Sequence, residues 1–301
     1  CALLVIFTSY LHGQEITGKI FFYYTQPSTQ DGIKSFALSR TYLTIAKKVS
    51  DNITYKFQAD INYNSSPQNM YIKNANVDWK TNMGKIVLGL QGMNMFKIQE
   101  RTWGKRYIQK SSMDYFKYSS SADMGMGLYR AIDNLSFSTL ITNGTGYKTS
   151  ENDNHKKLSF QAVYGEQTLN KNDGFNIGTV YSIEKYDMDS VTVRNKSVIG
   201  FFSGYAGKRI RAGLEWNQNN DSGNKVTSQI KSLYGNYNIK SKTAVYLRYD
   251  MFSTNIKEYV EDKDYLILGV EFSPGKGLII SPNYRKNNEE SEVNINFEFK
   301  F

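Results

Sequence analysis

Residues 291–301, SEVNINFEFKF, set Val293, Ile295, Phe297, Phe299 and Phe301 in unbroken alternation with Glu292, Asn294, Asn296, Glu298 and Lys300. A β-strand has a side-chain period of two, so such a segment has one apolar face and one polar face. The same rhythm returns in ITYKFQADINY (53–63), LSFQAVY (158–164), KRIRAGLEW (208–216), AVYLRYDM (244–251) and YLILGVEF (265–272). Sixteen segments of this kind run from end to end, at 16–26, 36–49, 53–64, 70–80, 85–93, 123–130, 135–142, 157–166, 175–186, 196–206, 208–217, 227–239, 242–253, 264–273, 277–286 and 291–301.

The connections carry a second pattern. SDN (50–52), TNMG (81–84), AIDN (131–134), AGK (206–208), KSK (240–242) and SPGKG (273–277) are tight-turn sequences, and all follow even-numbered segments. Those after odd-numbered segments are mostly longer and more polar, as in PSTQDGIKS, GTGYKTSENDNH, DMDSVTVR, NNDSGNKV and NIKEYVEDK. Alternating short and long connections between amphipathic strands predict an all-β fold, a transmembrane antiparallel up-and-down barrel of about sixteen strands. In lipid every backbone N–H and C=O needs a partner within the protein, and only a closed sheet supplies that for strands. The apolar face then meets lipid, and the polar face encloses water in a lumen wide enough for a channel.

Composition agrees. Only 40% of the 301 residues are hydrophobic, yet 14% are aromatic, nearly all Tyr and Phe, which favour strands. A mean hydropathy of −0.52 excludes a bundle of membrane helices. The longest apolar run, Ala2–Phe7, is too short to span a bilayer as a helix. CALLVIFTSYLHGQE reads instead as the rear part of a secretory signal peptide, residues 1–14, with cleavage expected near Gly13–Gln14 and Cys1 inside it. Residues 15–301 show no linker or composition shift and are read as a single barrel domain. The net charge of +9 suits anionic solutes and anionic lipid, and export argues against nucleic acid as a partner. Lys156, Lys225 and Lys263, near the long connections, are expected to meet solvent or lipopolysaccharide phosphates.

The longest connection, residues 94–122, carries apolar anchors such as Phe96, Ile98, Trp103, Tyr107 and Tyr115 beside Lys97, Arg101, Lys105, Arg106, Lys110 and Lys117, with only Glu100 and Asp114 opposing them. A folded basic loop of this length is expected to enter the barrel, narrow it and select for anions. The alternation also points Arg40, Lys56, Arg209, Arg211, Arg248 and Arg285 into the lumen, among Asp60, Asp78, Glu215, Asp250 and Glu271. The expected pore-lining and constriction set is therefore Arg40, Lys56, Glu100, Arg101, Lys105, Arg106, Lys110, Asp114, Arg209, Arg211, Arg248 and Arg285. Arginine suits oxyanions through its forked donors, although such charges also simply wet a wall.

FALSRTYLTI, the loop ERTWGKRYIQKSSMDYF followed by SSADMGM, ITNGTGY, IISPNYR and the terminal Phe301 together resemble the phosphate-selective porin O/P type of outer-membrane porin. That resemblance implies a sixteen-stranded homotrimeric channel in the outer membrane of a Gram-negative-type bacterium. It implies a third loop folded inward, basic residues drawing anions such as phosphate, and recognition of Phe301 by the barrel assembly machinery. The lysines and arginines do not match a phosphate-binding ladder one by one, so the expectation is a general preference for anions. A channel for sugars or organic acids and a non-conducting structural or adhesive barrel are the alternatives. No catalytic role, metal or cofactor is expected: beyond the leader the chain has no cysteine, and one histidine, His155, in a polar loop.

Overall fold

The computed structural model describes residues 14–29, 31–62, 69–187, 189, 191–258, 263–288 and 290–301. Residues 1–13 of the expected signal segment 1–14 lie outside the described residues, and its last residue, Gln14, opens the first strand. In chain order the strands are β1 (Gln14–Pro27), β2 (Ser35–Lys48), β3 (Ile53–Asn62), β4 (Asn69–Thr81), β5 (Gly84–Gly92), β6 (Ala122–Ile132), β7 (Leu135–Thr142) and β8 (Lys157–Gly165). They continue as β9 (Gly174–Asp187), β10 (Val193–Gly207), β11 (Ile210–Asp221), β12 (Val226–Lys240), β13 (Thr243–Ser253), β14 (Lys263–Gly275), β15 (Leu278–Asn287) and β16 (Glu290–Lys300). Two short helices, α1 (Lys97–Trp103) and α2 (Ser112–Tyr115), lie between β5 and β6.

Every strand pairs antiparallel with its chain neighbours, and β1 pairs with β16 from Lys19↔Lys300 to Pro27↔Glu292, so the sheet closes into a barrel. Closure extends to the last residue: Gly18 N–H donates to Phe301 O at 3.0 Å, and Phe301 N–H donates to Gly18 O at 3.2 Å. A Cβ on Gly18 would lie 2.1 Å from the Phe301 ring, so only glycine lets that ring lie across the seam.

Burial is inverted relative to a water-soluble protein. Phe36, Leu43, Leu88, Phe160, Phe201, Leu214, Leu247 and Phe299 are exposed on the outer wall, while Asp60, Glu215, Asp250, Asn283, Asn294 and Asn296 are buried inside. A closed sheet with an apolar skin and a polar interior satisfies its backbone only in the way a membrane barrel does. Strands of 8 residues in β7 to 15 in β10 and β12 have about the length needed to cross at a tilt.

The alternation of short and long connections is less regular than the sequence suggests. On the long side, the β11–β12 connection is only residues 222–225, because Asp221 Oδ1 accepts from the N–H groups of Gly223 (3.0 Å) and Asn224 (3.3 Å) and folds the chain straight back. The β15–β16 connection is residues 288–289, with Asn288 at φ 52. On the short side the β8–β9 turn spans 166–173, and there the longer sequence TLNKNDG (168–174) already suggests it. Bulges also shift the inward phase, two of them on the β1–β4 wall. Between β1 and β2, Phe21 pairs with Arg40 and Phe22 with Leu38, skipping Ser39. Between β3 and β4, Gln58 pairs with Asn74 and Ala59 with Ile72, skipping Lys73. Lys73 and Asn74 are consequently both buried on the inner side.

Candidate functional site

Residues 93–121 leave β5 and fold into the lumen. Helix α1 ends where Gly104 takes the left-handed conformation, φ 67, and donates its N–H to Glu100 O at 2.8 Å. Its inward face buries Ile98, Gln99, Thr102 and Trp103. Met95, Phe96, Ile98, Met113 and Tyr118 pack with Val163, Val180, Val198, Phe202 and Ile230 of β8–β10 and β12. Trp103 is 2% exposed and meets Tyr234 edge-on at 5.8 Å and Tyr246 at 6.0 Å.

Polar clamps fix the same docking. Lys105 Nζ reaches Glu271 Oε2 at 2.8 Å, Ser112 Oγ donates to Glu215 Oε2 at 2.9 Å, and Arg285 Nη2 donates to Ile108 O at 3.0 Å. Asn296 Nδ2 donates to Tyr107 O at 3.1 Å, and Arg248 donates to Lys110 O while holding Asp250 with Nε and Nη2. All these partners lie on β11–β16. With the apolar packing on β8–β10 and β12, these clamps bind the loop along β8–β16, and open space remains on its other side, against β1–β6 and the long-loop ends of β8–β10.

That space consists of two adjoining cavities. The one towards the short turns has a volume of about 510 Å³ and is lined by Lys19, Lys56, Lys73, Lys85, Lys97, Arg101 and Lys300, with Asp78, Glu100 and Glu298. The one towards the long loops, about 350 Å³, is lined by Arg40, Lys110, Lys117, Lys148, Lys157 and Lys196, with Asp114 and Glu184. Arg106 and Ser121 border both. Arg106 is held by Glu100 (2.5 Å) and Asp114 (2.8 Å). Burial pushes the Asp114 pKa up, but the charges of Arg106 and Lys110 outweigh it and keep the carboxyl below its ordinary value of 3.8.

Lys19, Lys56, Lys73, Lys97 and Arg101 have no carboxylate within 4.0 Å among the described residues, so the larger cavity keeps an excess of positive charge, and in the other the lysines and arginines outnumber Asp114 and Glu184. Lys73 sits 4.8 Å over the Tyr42 ring and 5.6 Å over the Tyr147 ring, with Nζ 3.4 Å from Tyr42 Oη.

The twelve residues expected from sequence therefore divide. Arg40, Lys56, Glu100, Arg101, Arg106, Lys110 and Asp114 border the open cavities, although Arg40 is tied to Asp60 at 2.9 Å. Lys105, Arg211, Arg248 and Arg285 point inward but are spent on the loop: Lys105 and Arg248 are 2% and 1% exposed, and Arg211 Nη2 reaches Trp103 O at 3.4 Å. Arg209 requires a correction. It lies in the turn 208–209 between β10 and β11, exposed at the short-turn end of the barrel, because β11 begins at Ile210 and the alternating segment does not extend that far.

Lys19, Lys73 and Lys148 were not anticipated. Lys73 is the bulged residue, so the two-residue rhythm set by Asn74, Asn76 and Asp78 further along β4 puts it on the opposite face. Among the described residues no three His, Cys, Asp or Glu side chains gather as a metal site. His155 Nε2 lies 2.9 Å from Asp187 Oδ1, among the long loops.

A closed sixteen-stranded barrel with an apolar skin and a loop folded into a charged lumen is a membrane barrel of the porin architecture. Solved structures share this fold. OmpT of Vibrio cholerae, in a trimer form, superposes with a TM-score of 0.71 at 13% identity, over 96% of this chain and 99% of that one. OmpF of Salmonella typhi in complex with daunomycin gives 0.70 at 13%, over 96% and 97%. An anion-selective porin from Comamonas acidovorans gives 0.71 at 11%, over 96% and 99%. No protein-family model matches the sequence, and no curated protein does.

Proposed function

We propose that this chain is a porin, a water-filled outer-membrane channel through which small hydrophilic solutes diffuse, with a preference for anions such as phosphate. The observation that carries this reading is the pair of adjoining cavities beside the loop: Lys19, Lys56, Lys73, Lys97 and Arg101 line the larger one with no carboxylate within 4.0 Å among the described residues, and Arg106 borders both. A narrow aqueous path of one charge sign, walled by low-dielectric protein, concentrates the opposite ion. Arginine and lysine side chains donate charge-assisted hydrogen bonds to oxyanions.

The inner residues divide the work. Lys105, Arg248 and Arg285 hold the loop to β13–β15, and the unpaired cations set the field. A homotrimer is the proposed assembly, supported by a fold neighbour that is itself described as a trimer. We assign the protein no catalytic role, and the outward-facing loops and terminal Phe301 are read as its contacts with lipopolysaccharide and the barrel assembly machinery. The test is the reversal potential of purified protein in planar bilayers under a tenfold KCl gradient. The reading expects the sign for anion selectivity. A cation-selective pore, or a barrel that does not conduct, refutes it, and liposome swelling that is faster with neutral sugars than with anions of equal size favours a sugar channel instead.

A further inference from the structure

Charges on the lipid-facing positions of the barrel sit at strand ends, with one exception. Lys231, on the outer face of β12, is flanked in register by Trp216 on β11 and Met251 on β13. It is exposed and makes no ion pair or hydrogen bond among the described residues. Lys231 marks the outer rim of the apolar belt. Towards the short turns the same face continues as Leu214 and Leu233, and towards the long loops it becomes Gln218, Asn220 and Gln229. A lysine at that rim lies at the depth of lipid headgroups, with aromatic rings beside it as at a membrane interface.

Beneath it the wall is hollowed. A depression of about 460 Å³ is lined by Phe201, Leu214, Trp216, Leu233 and Tyr249, with Lys231 at its edge. Ser203 gives it depth, because it is a small residue in register with Ile177 and Leu214. The Phe201 and Trp216 rings lie 5.8 Å apart along one side. The carboxylate of Asp264, in register with Met251 one strand further on, accepts the Tyr249 hydroxyl at 2.8 Å. Lys231 thus has no counter-ion of its own.

We propose that this groove holds one phosphate-bearing lipid of the outer leaflet, with an acyl chain lying over Ser203 and the phosphate at the Lys231 ammonium. A cation next to a lipid surface and an apolar trough match the two ends of such an amphiphile, and a neutral lipid would leave the ammonium without a partner. The inference rests on the barrel crossing a membrane, not on what passes through its lumen, so a failed channel assay leaves it standing.

Trp216 supplies the readout. In a Trp79→Phe background, folded barrel in dodecyl maltoside micelles is titrated with brominated-acyl phosphatidic acid or with brominated-acyl phosphatidylcholine, and tryptophan quenching is followed. Phosphatidic acid should quench at about a fivefold lower mole fraction than phosphatidylcholine. That preference should vanish in Lys231→Met and survive in Lys231→Arg, with all three proteins retaining the gel mobility of a closed barrel. Equal quenching by the two lipids, or a preference that persists in Lys231→Met, overturns the proposal. Relief of quenching by millimolar inorganic phosphate, or crosslinking of this face to a second copy of the chain, overturns it in favour of those occupants.

Discussion

Replacing Lys73 with methionine isolates the field of one charge in the passage. Lys73 has no carboxylate partner, so the change orphans no buried anion, and it keeps most of the side-chain volume against Tyr42 and Tyr147. An anion passing within about 4 Å of the ammonium gains about 1 kcal/mol in a water-like dielectric. Screening over a Debye length of about 8 Å at physiological salt reduces this to about 0.6 kcal/mol. That is about a threefold loss of anion occupancy on mutation, and a matching gain for cations widens the effect on the permeability ratio. Protein walls lower the dielectric, so threefold is the lower side of the expectation. The assay is the reversal potential of Lys73→Met against wild type in a KCl gradient, with Lys73→Arg expected to keep wild-type selectivity. Arg209→Met, on the exposed short turn between β10 and β11, is the control and should leave the potential unchanged. An unaltered potential in Lys73→Met, or an equal shift in Arg209→Met, refutes the placement of the selective charge.

Three further outcomes follow from the loop. Glu271→Gln removes the carboxylate shared by Lys105 and Tyr107 and leaves the Lys105 ammonium buried, costing about 3 kcal/mol of local docking; flickering conductance and faster trypsin cleavage within 94–121 should appear while the barrel itself stays closed. Gly104→Ala forces a left-handed alanine against Arg211, whose Nη2 would lie 2.5 Å from the new Cβ, and should loosen the α1 terminus by about 1 kcal/mol, read as increased deuterium exchange there. Asp114 has its folded pKa below the ordinary 3.8, so its contribution to holding Arg106 is complete above that pH and disappears as pH falls through the lower folded value. Channel noise should therefore be flat from about pH 8 to pH 5 and rise only below about pH 4, and Asp114→Asn should remove that acid onset.

The barrel was legible in the sequence because its physics is repetitive. Each strand has to show lipid one face and water the other, and that requirement writes the same two-residue pattern sixteen times. The predicted segment 135–142 coincides with β7, and the noisy 196–206 still fell within β10. The inward loop was legible from its length and its mixture of anchors and charges. Which wall it docks on was not. Arg248 and Arg40 look alike in an alternating strand, yet one is covered by the loop and the other borders water, and only the tertiary arrangement separates them. The one local hint lies in Tyr234, Tyr246 and Tyr265, aromatic residues at inward positions where a purely wet wall would carry small polar ones. Lys73 escaped because a bulge breaks the rhythm at its own position, and Arg209 was misplaced because a turn truncates it.

The most direct measurement uses Ser121, which borders both cavities and whose replacement by cysteine changes one atom. Ser121→Cys channels in a planar bilayer are exposed to a negatively charged methanethiosulfonate reagent, from one chamber and then, in separate membranes, from the other. A continuous water-filled path beside the loop predicts that the reagent reacts from either side, lowers unitary conductance and weakens anion selectivity. Reaction from one side only, or none from either while the cysteine remains reactive in unfolded protein, would mean that the loop plugs the barrel and that no such path exists.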